Sequence, residues 1–132
     1  MSSWIPCKLE IKNLEMLKKV LDMMHLTYQE NTVNEQLIAR GYGNASSKVD
    51  LLVPQSELRK IQAGSYGDMG FVYNKNTETY DVMLDSVDRR VANTMNQIYA
   101  VESIKDFAIA NKRSYTISTE EYGSQEIVIE VY

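Results

Sequence analysis

Residues 64–85, GSYGDMGFVYNKNTETYDVMLD, limit what this chain can fold into more than any other stretch. Two runs rich in apolar and aromatic residues flank the polar cluster Asn74, Lys75, Asn76 and Thr77. Side chains alternate across a strand, so each run reads as a half-buried strand, with Asn at the reversal where φ can turn positive. A β-hairpin is predicted, and the rest of the chain is read outward from it.

Upstream, residues 7–11 (CKLEI) alternate and predict a first strand. Asn13 is placed to cap a helix over residues 13–25, since its side chain can accept from free N–H groups of the next turn. Leu14, Leu17, Leu21 and Met24 share one face of that helix, and Glu15, Lys18, Lys19 and Asp22 fall mostly off it. Between Thr27 and Val53 the runs TYQEN, QLIARGY and KVDLLVP predict three short strands, the third ended by Pro54, which cannot donate to a ladder. SELRKIQ (56–62) is a single helical turn or a loop.

Downstream, Asp85 or Ser86 is placed to cap a long helix. Val87, Val91, Met95, Ile98, Val101, Ile104 and Ala108 recur every three or four residues along it. Asp85 and Asp88 at its start, and Lys112 and Arg113 at its end, suit the helix dipole. A bend is expected near Tyr99 and Ala100. The last 19 residues, SYTISTEEYGSQEIVIEVY, predict a second hairpin turning near Tyr122, Gly123 and Ser124, with Ile127, Ile129 and Val131 on one side.

Consecutive strands joined by short turns imply an antiparallel sheet, and two amphipathic helices can cover one face of it. The expected fold is α+β, an antiparallel sheet with two helices packed on one face, ferredoxin-like in outline, in a single domain of residues 1–132. The other face is expected to be open, carrying Val72, Met83, Val128 and Tyr132 among Asp81, Asp85 and Glu130. Such a face, or the edge strands, would serve a protein partner or a second copy in a homo-oligomer.

Charge and composition narrow the function classes. A net charge of −4 argues against coating long nucleic acids, which are held mainly by neutralising phosphates. No apolar run approaches the roughly 20 residues that span a bilayer. MSSWIPCKLE has no basic start followed by an apolar core, so no signal peptide is expected. Cys7 is the only cysteine, which excludes an internal disulfide and fits a reducing, cytoplasmic compartment.

Catalytic motifs are sparse. His25 is the single histidine, so the usual zinc sets cannot be assembled, and no cofactor or metal is implied. At the end of the first helix it reads as a dipole-favouring residue. Neither the hydrolase elbow nor the phosphate-binding P-loop occurs. LEIKNL (9–14) and RGYG (40–43) look like the sheet motifs of an RNA-recognition domain, but Glu10 stands at a stacking position and Asn44 and Ala45 break the second motif. IQAGSYG (61–67) looks like a KH-type loop, except that Asp68 is wrong beside a phosphate.

Two loops rich in glycine and hydroxyls stand out: residues 40–48 (RGYGNASSK), and residues 59–67 from Arg59 and Lys60 to Gly64, Ser65, Tyr66 and Gly67. Glycine lets backbone N–H groups approach an anion, and serine adds donors. Arg40, Lys48 and Arg59 bring positive charge, Gly43, Ser46 and Ser47 line the turn, and Tyr42, Tyr66 and Tyr73 can stack on a flat base. These nine residues are the candidate ligand-binding set for a small phosphate-bearing, nucleotide-like ligand. Turn loops whose glycines satisfy φ and ψ explain the same composition.

An ordered set of short motifs resembles the Ycf35-like (DUF1257) family of plastids, bacteria and phages. It comprises CKLEIKNLEMLKKVLDMM, then Arg40-Gly41-Tyr42, Asp68-Met69-Gly70-Phe71, Tyr80-Asp81-Val82-Met83-Leu84-Asp85, and Tyr99-Ala100 opening the last helical stretch. The chain departs from that family in having Tyr73 where tryptophan is common and in lacking aromatic residues shortly after Asp85. The resemblance spans nearly the whole chain and implies one small α+β domain without implying an activity. The expected function is a non-enzymatic binding module, phage-encoded by analogy with the family's distribution. It would engage a protein partner or sequester a small anionic ligand. The alternative is a divalent-cation-dependent enzyme acting on a phosphate ester through Asp68, Asp81 or Asp85.

Overall fold

The computed structural model describes residues 4–32, 36–61, 66–111, 115–119 and 128–131. The elements are β1 (Trp4–Lys8), α1 (Leu14–Met23), β2 (Gln29–Glu30), β3 (Leu37–Arg40), β4 (Ser46–Val49), β5 (Leu51–Val53), α2 (Gln55–Leu58), β6 (Met69–Asn74), β7 (Thr79–Asp85), α3 (Arg89–Ala110), β8 (Tyr115–Thr119) and β9 (Val128–Val131). One antiparallel sheet has the order β1-β7-β6-β5-β2, and β3-β4 and β8-β9 are two further hairpins. The class is α+β, as the sequence predicts.

The central hairpin is β6-β7, with Phe71 opposite Val82 and Tyr73 opposite Tyr80. Its turn works differently from the expectation. Positive φ falls on Glu78 (φ 57), while Asn74 acts through its side chain, accepting from the N–H groups of Asn76 and Thr77 at 2.9 and 3.4 Å. Side-chain capture of backbone donors is the usual local role of Asn in turns.

Alternation sends Ile5, Cys7, Phe71, Val82 and Leu84 to one face, where α1 contributes Leu17, Val20 and Leu21 and α3 contributes Val91, Met95 and Ile98. Each such side chain, fully buried, stabilises by about 1.5–3 kcal/mol, so this layer dominates the fold. Asn13 caps α1, its Oδ1 accepting from Met16 N–H at 2.7 Å. The helix stops at His25, whose φ of 58 is left-handed, and Leu26 N–H closes back on Leu21 O at 3.0 Å. That is a Schellman stop with a buried Leu26 after it, so His25 serves the helix end by backbone conformation.

The long helix begins later than Asp85 or Ser86. Residues Ser86–Asp88 form a 3-10 turn, and α3 runs without interruption from Arg89 to Ala110 through the expected bend. The turn predicted near Tyr122 to Ser124, residue 127, and the side chains of Ile129 and Val131 lie outside the described residues.

The second face is not open as expected. KVDLLVP is two strands, and Asp50 between them lets β4 leave the sheet that β5 joins. Asp50 Oδ2 accepts from Tyr73 N–H at 3.0 Å, and Asp50 N–H donates to Phe71 O at 2.8 Å. The β3-β4 hairpin then folds over β5 and β6, where Ala39, Val49 and Leu52 form a small second core with Trp4, Leu37 and Val72 against it. Gly70 makes room: a Cβ there would lie 2.4 Å from Val49 Cγ1 and 2.8 Å from Ala39 Cβ. Val72 is thus packed and Asp85 is fully buried. The side chains of Val128, Glu130 and Tyr132 lie outside the described residues.

Candidate functional site

The β3-β4 hairpin delivers one of the predicted loops to the other. Its turn closes with Gly41 N–H donating to Ala45 O at 2.9 Å, and Gly43 takes φ 69 with open space around it. The segment entering β6 docks beneath. Asp68 N–H donates to Arg40 O at 2.8 Å, and Arg40 N–H donates back to Asp68 Oδ2 at 3.0 Å. Asp68 Oδ1 accepts from Gln55 N–H at 2.9 Å, tying in the start of α2. Trp4 Nε1–H donates to Asp68 O at 3.0 Å, and its ring fills the space beside Gly41, where a Cβ would lie 2.2 Å from Trp4 Cγ. A Cβ on Gly67 would lie 2.8 Å from the Cα of Gly41, so the two glycines let two backbones cross.

This junction presents Tyr42 and Tyr66 together. Their rings meet edge to face at 5.9 Å and an interplanar angle of 77°, yet they remain 54% and 50% exposed. Arg40 is exposed at the base of the same turn. Of the nine predicted residues, Tyr42 and Tyr66 therefore meet in one patch, with Arg40 and Gly43 on the same turn. Ser46 sits opposite Arg40 in the ladder, and Lys48 two residues further along opposite Ile38. Ser47 Oγ donates to Lys48 O at 3.3 Å. Arg59 ends α2, whose first N–H is held by Asp68. Tyr73 lies elsewhere, packed edge to face on Tyr80 at 5.4 Å.

The predicted anion cradle fares differently from the aromatic pair. Among the described residues, the N–H groups of Arg40, Gly41, Ala45 and Asp68 are all spent on partners within the junction, and Gly64 and Ser65 of the second predicted loop lie outside the described residues. Gly41 and Gly67 are explained by the close approach of Trp4 and of the neighbouring backbone.

The carboxylates of the enzymatic alternative do not converge. Both oxygens of Asp68 accept backbone N–H groups, and Asp81 Oδ2 accepts from Asn74 Nδ2 at 3.0 Å. Asp81 and Asp85 lie four residues apart on one strand, about 13 Å at ordinary strand rise, too far to share a cation whose ligands sit within roughly 2–2.6 Å. Among the described residues no group of three His, Cys, Asp or Glu is placed to hold a metal ion.

Among the described residues, grooves form that the sequence does not predict. One, of about 330 Å³, lies between α1 and α3 and is lined by Met23, Met24, Ile61, Val91 and Ile98 with Arg90 and Thr94. The second, of about 580 Å³, lies where the chain leaves β1 and faces α3. The segment before Ile61 is anchored by Glu57, which accepts from Thr27 N–H at 2.8 Å and pairs with Lys60 at 2.6 Å. The hydrogen bond from Lys60, then that from Thr27 N–H, holds the Glu57 carboxyl below its ordinary range. Sequence periodicity gives no sign of either groove, because each joins residues from separate elements.

Compared with family models, curated proteins and solved structures, the chain matches none. Among the described residues no helix is long and apolar enough to cross a membrane.

Proposed function

We propose that the protein is a non-enzymatic binding module that engages a protein partner through the Tyr42–Tyr66 patch, with Arg40 at its edge. Kinship with the Ycf35-like family belongs to the same proposal, and the α+β class suits it. The observation that carries the reading is the half-exposed tyrosine pair, drawn from two chain segments and fixed from below by Asp68, Trp4 and two glycines. Tyrosine and arginine dominate interface hot spots because they offer large contact area with few rotors to immobilise. A turn needing only to reverse the chain would not require a part-buried clasp beneath two aromatic rings.

The test is parallel affinity capture from the source cells with wild-type protein and Tyr42→Ala/Tyr66→Ala. The expected result is a protein retained by the wild type and lost by the variant, whose melting temperature stays within about 2 °C, as for exposed substitutions. The same proteins on both baits, or none on either, overturn the reading.

A further inference from the structure

We infer that the groove between the end of β1 and α3 binds a small amphiphilic anion, a phosphate-bearing head on a body of about one aromatic ring. This rests on residues separate from the tyrosine patch, and stands or falls independently of it.

The groove is about 580 Å³ and gathers hydrogen-bond donors from two places. The end of β1 supplies Lys8 and the chain after it Lys12, both exposed and in no ion pair among the described residues. Helix α3 supplies Asn96, Tyr99 and Ser103, spaced three and four residues apart and so on one face. Asn96 is already oriented: its Oδ1 accepts from Glu10 N–H at 2.9 Å, which leaves the two donors of its amide NH2 for another acceptor. Two ammonium groups, an amide NH2 and two hydroxyls then stand against one carboxylate, that of Glu10. Among the lining residues the two lysines outnumber the one carboxylate, and Asp81 stands opposite Lys8 in the β1-β7 ladder.

The same donors select the head group. A phosphate monoester brings three terminal oxygens and a charge of about −1.5 to −2 to the two lysines and the Asn96 amide, whereas a carboxylate brings two oxygens and a single charge. The partly buried ring of Tyr99 provides the apolar surface for a body, with Leu9 closing the core beneath. Few-donor, part-apolar concavities of this kind are the usual form of small-ligand sites.

The experiment is an amide-shift titration of the whole chain with phenyl phosphate, with inorganic phosphate and phenol as separate arms. Saturable shifts centred on Leu9, Glu10, Asn96 and Ser103 are expected, with phenyl phosphate binding at least about tenfold tighter than either half. Lys8→Gln/Lys12→Gln is expected to weaken phenyl phosphate by about tenfold or more, and Glu10→Gln to tighten it. The opposite signs at three exposed positions separate a charge effect from loss of fold. Non-saturating shifts, phenyl phosphate no tighter than inorganic phosphate, or an undiminished response in the double lysine variant overturn the inference.

Discussion

Replacing Asp68 tests the junction directly, because structure and chemistry assign that carboxylate opposite roles. In the structure it is a backbone clasp, accepting from Gln55 N–H at 2.9 Å and Arg40 N–H at 3.0 Å. Hydrogen bonds to a charged group contribute about 1.5–3 kcal/mol each, with the more exposed Arg40 bond at or below the lower end. Asp68→Ala should therefore cost about 3 kcal/mol. Asp68→Asn keeps one acceptor oxygen and turns an NH2 toward a backbone donor, so about half that cost is expected. For a chain of this size 1 kcal/mol moves the melting temperature by roughly 3–5 °C, giving about 9–15 °C for Ala and half as much for Asn. Urea unfolding followed by fluorescence is the assay of choice. Trp4 is the single tryptophan, and its Nε1–H sits on Asp68 O, so the probe reports the junction itself. A catalytic or metal-holding aspartate predicts the reverse, an Asn variant as stable as the parent. Unchanged unfolding midpoints for Asp68→Asn would refute the clasp.

Three further perturbations follow from the geometry. His25→Gly removes an L side chain from φ 58, and after the entropy of the freer unfolded chain is subtracted should stabilise by about 0.5–1 kcal/mol in urea unfolding. Gly70→Ala places a Cβ 2.4 Å from Val49 Cγ1 and should cost about 1–3 kcal/mol, with faster hydrogen exchange in β3 and β4 than in β6 and β7. Glu57 has a folded-state value below the 4.5 of the free side chain, so its contribution is present above that pH and is lost as pH falls through the depressed value. The stability gap between wild type and Glu57→Gln should accordingly narrow on acidification in paired denaturant titrations, and a gap that widens would contradict the assignment.

What the sequence revealed, and what it hid, divides along physical lines. Asn13, the α1 stripe, the β6-β7 pairing and the α3 face were readable because each depends on neighbours within a few residues. The split of KVDLLVP at Asp50 was hidden, since its cause is a carboxylate reaching Tyr73, 23 residues away. Gly41 and Gly67 were readable as special backbone from the composition of their loops, but their neighbours were not: the structure shows Trp4 and a crossing backbone where a Cβ would stand. Tyr42 and Tyr66 were legible as candidates, while their pairing rests on a junction 64 residues across from Trp4 to Asp68.

The tyrosine pair and the stability of the hairpin beneath it are bound together by this design. The second core is small, only Ala39, Val49 and Leu52 fully packed among the described residues, so burial alone holds β3-β4 weakly compared with the main layer. The hairpin is instead pinned at its turn end by Asp68 and Trp4 and at its base by Asp50. Pins at the turn fix Tyr42 against Tyr66 even if the strands behind them breathe, since local opening begins where buried apolar contact is least. Under the proposed binding role, such a surface would keep its geometry before a partner arrives and lose little freedom on binding, which is where much of the cost of association otherwise lies. That reasoning also explains why the two rings can stay half exposed in the free chain: their positions are set by backbone hydrogen bonds below them, not by burial of the rings themselves.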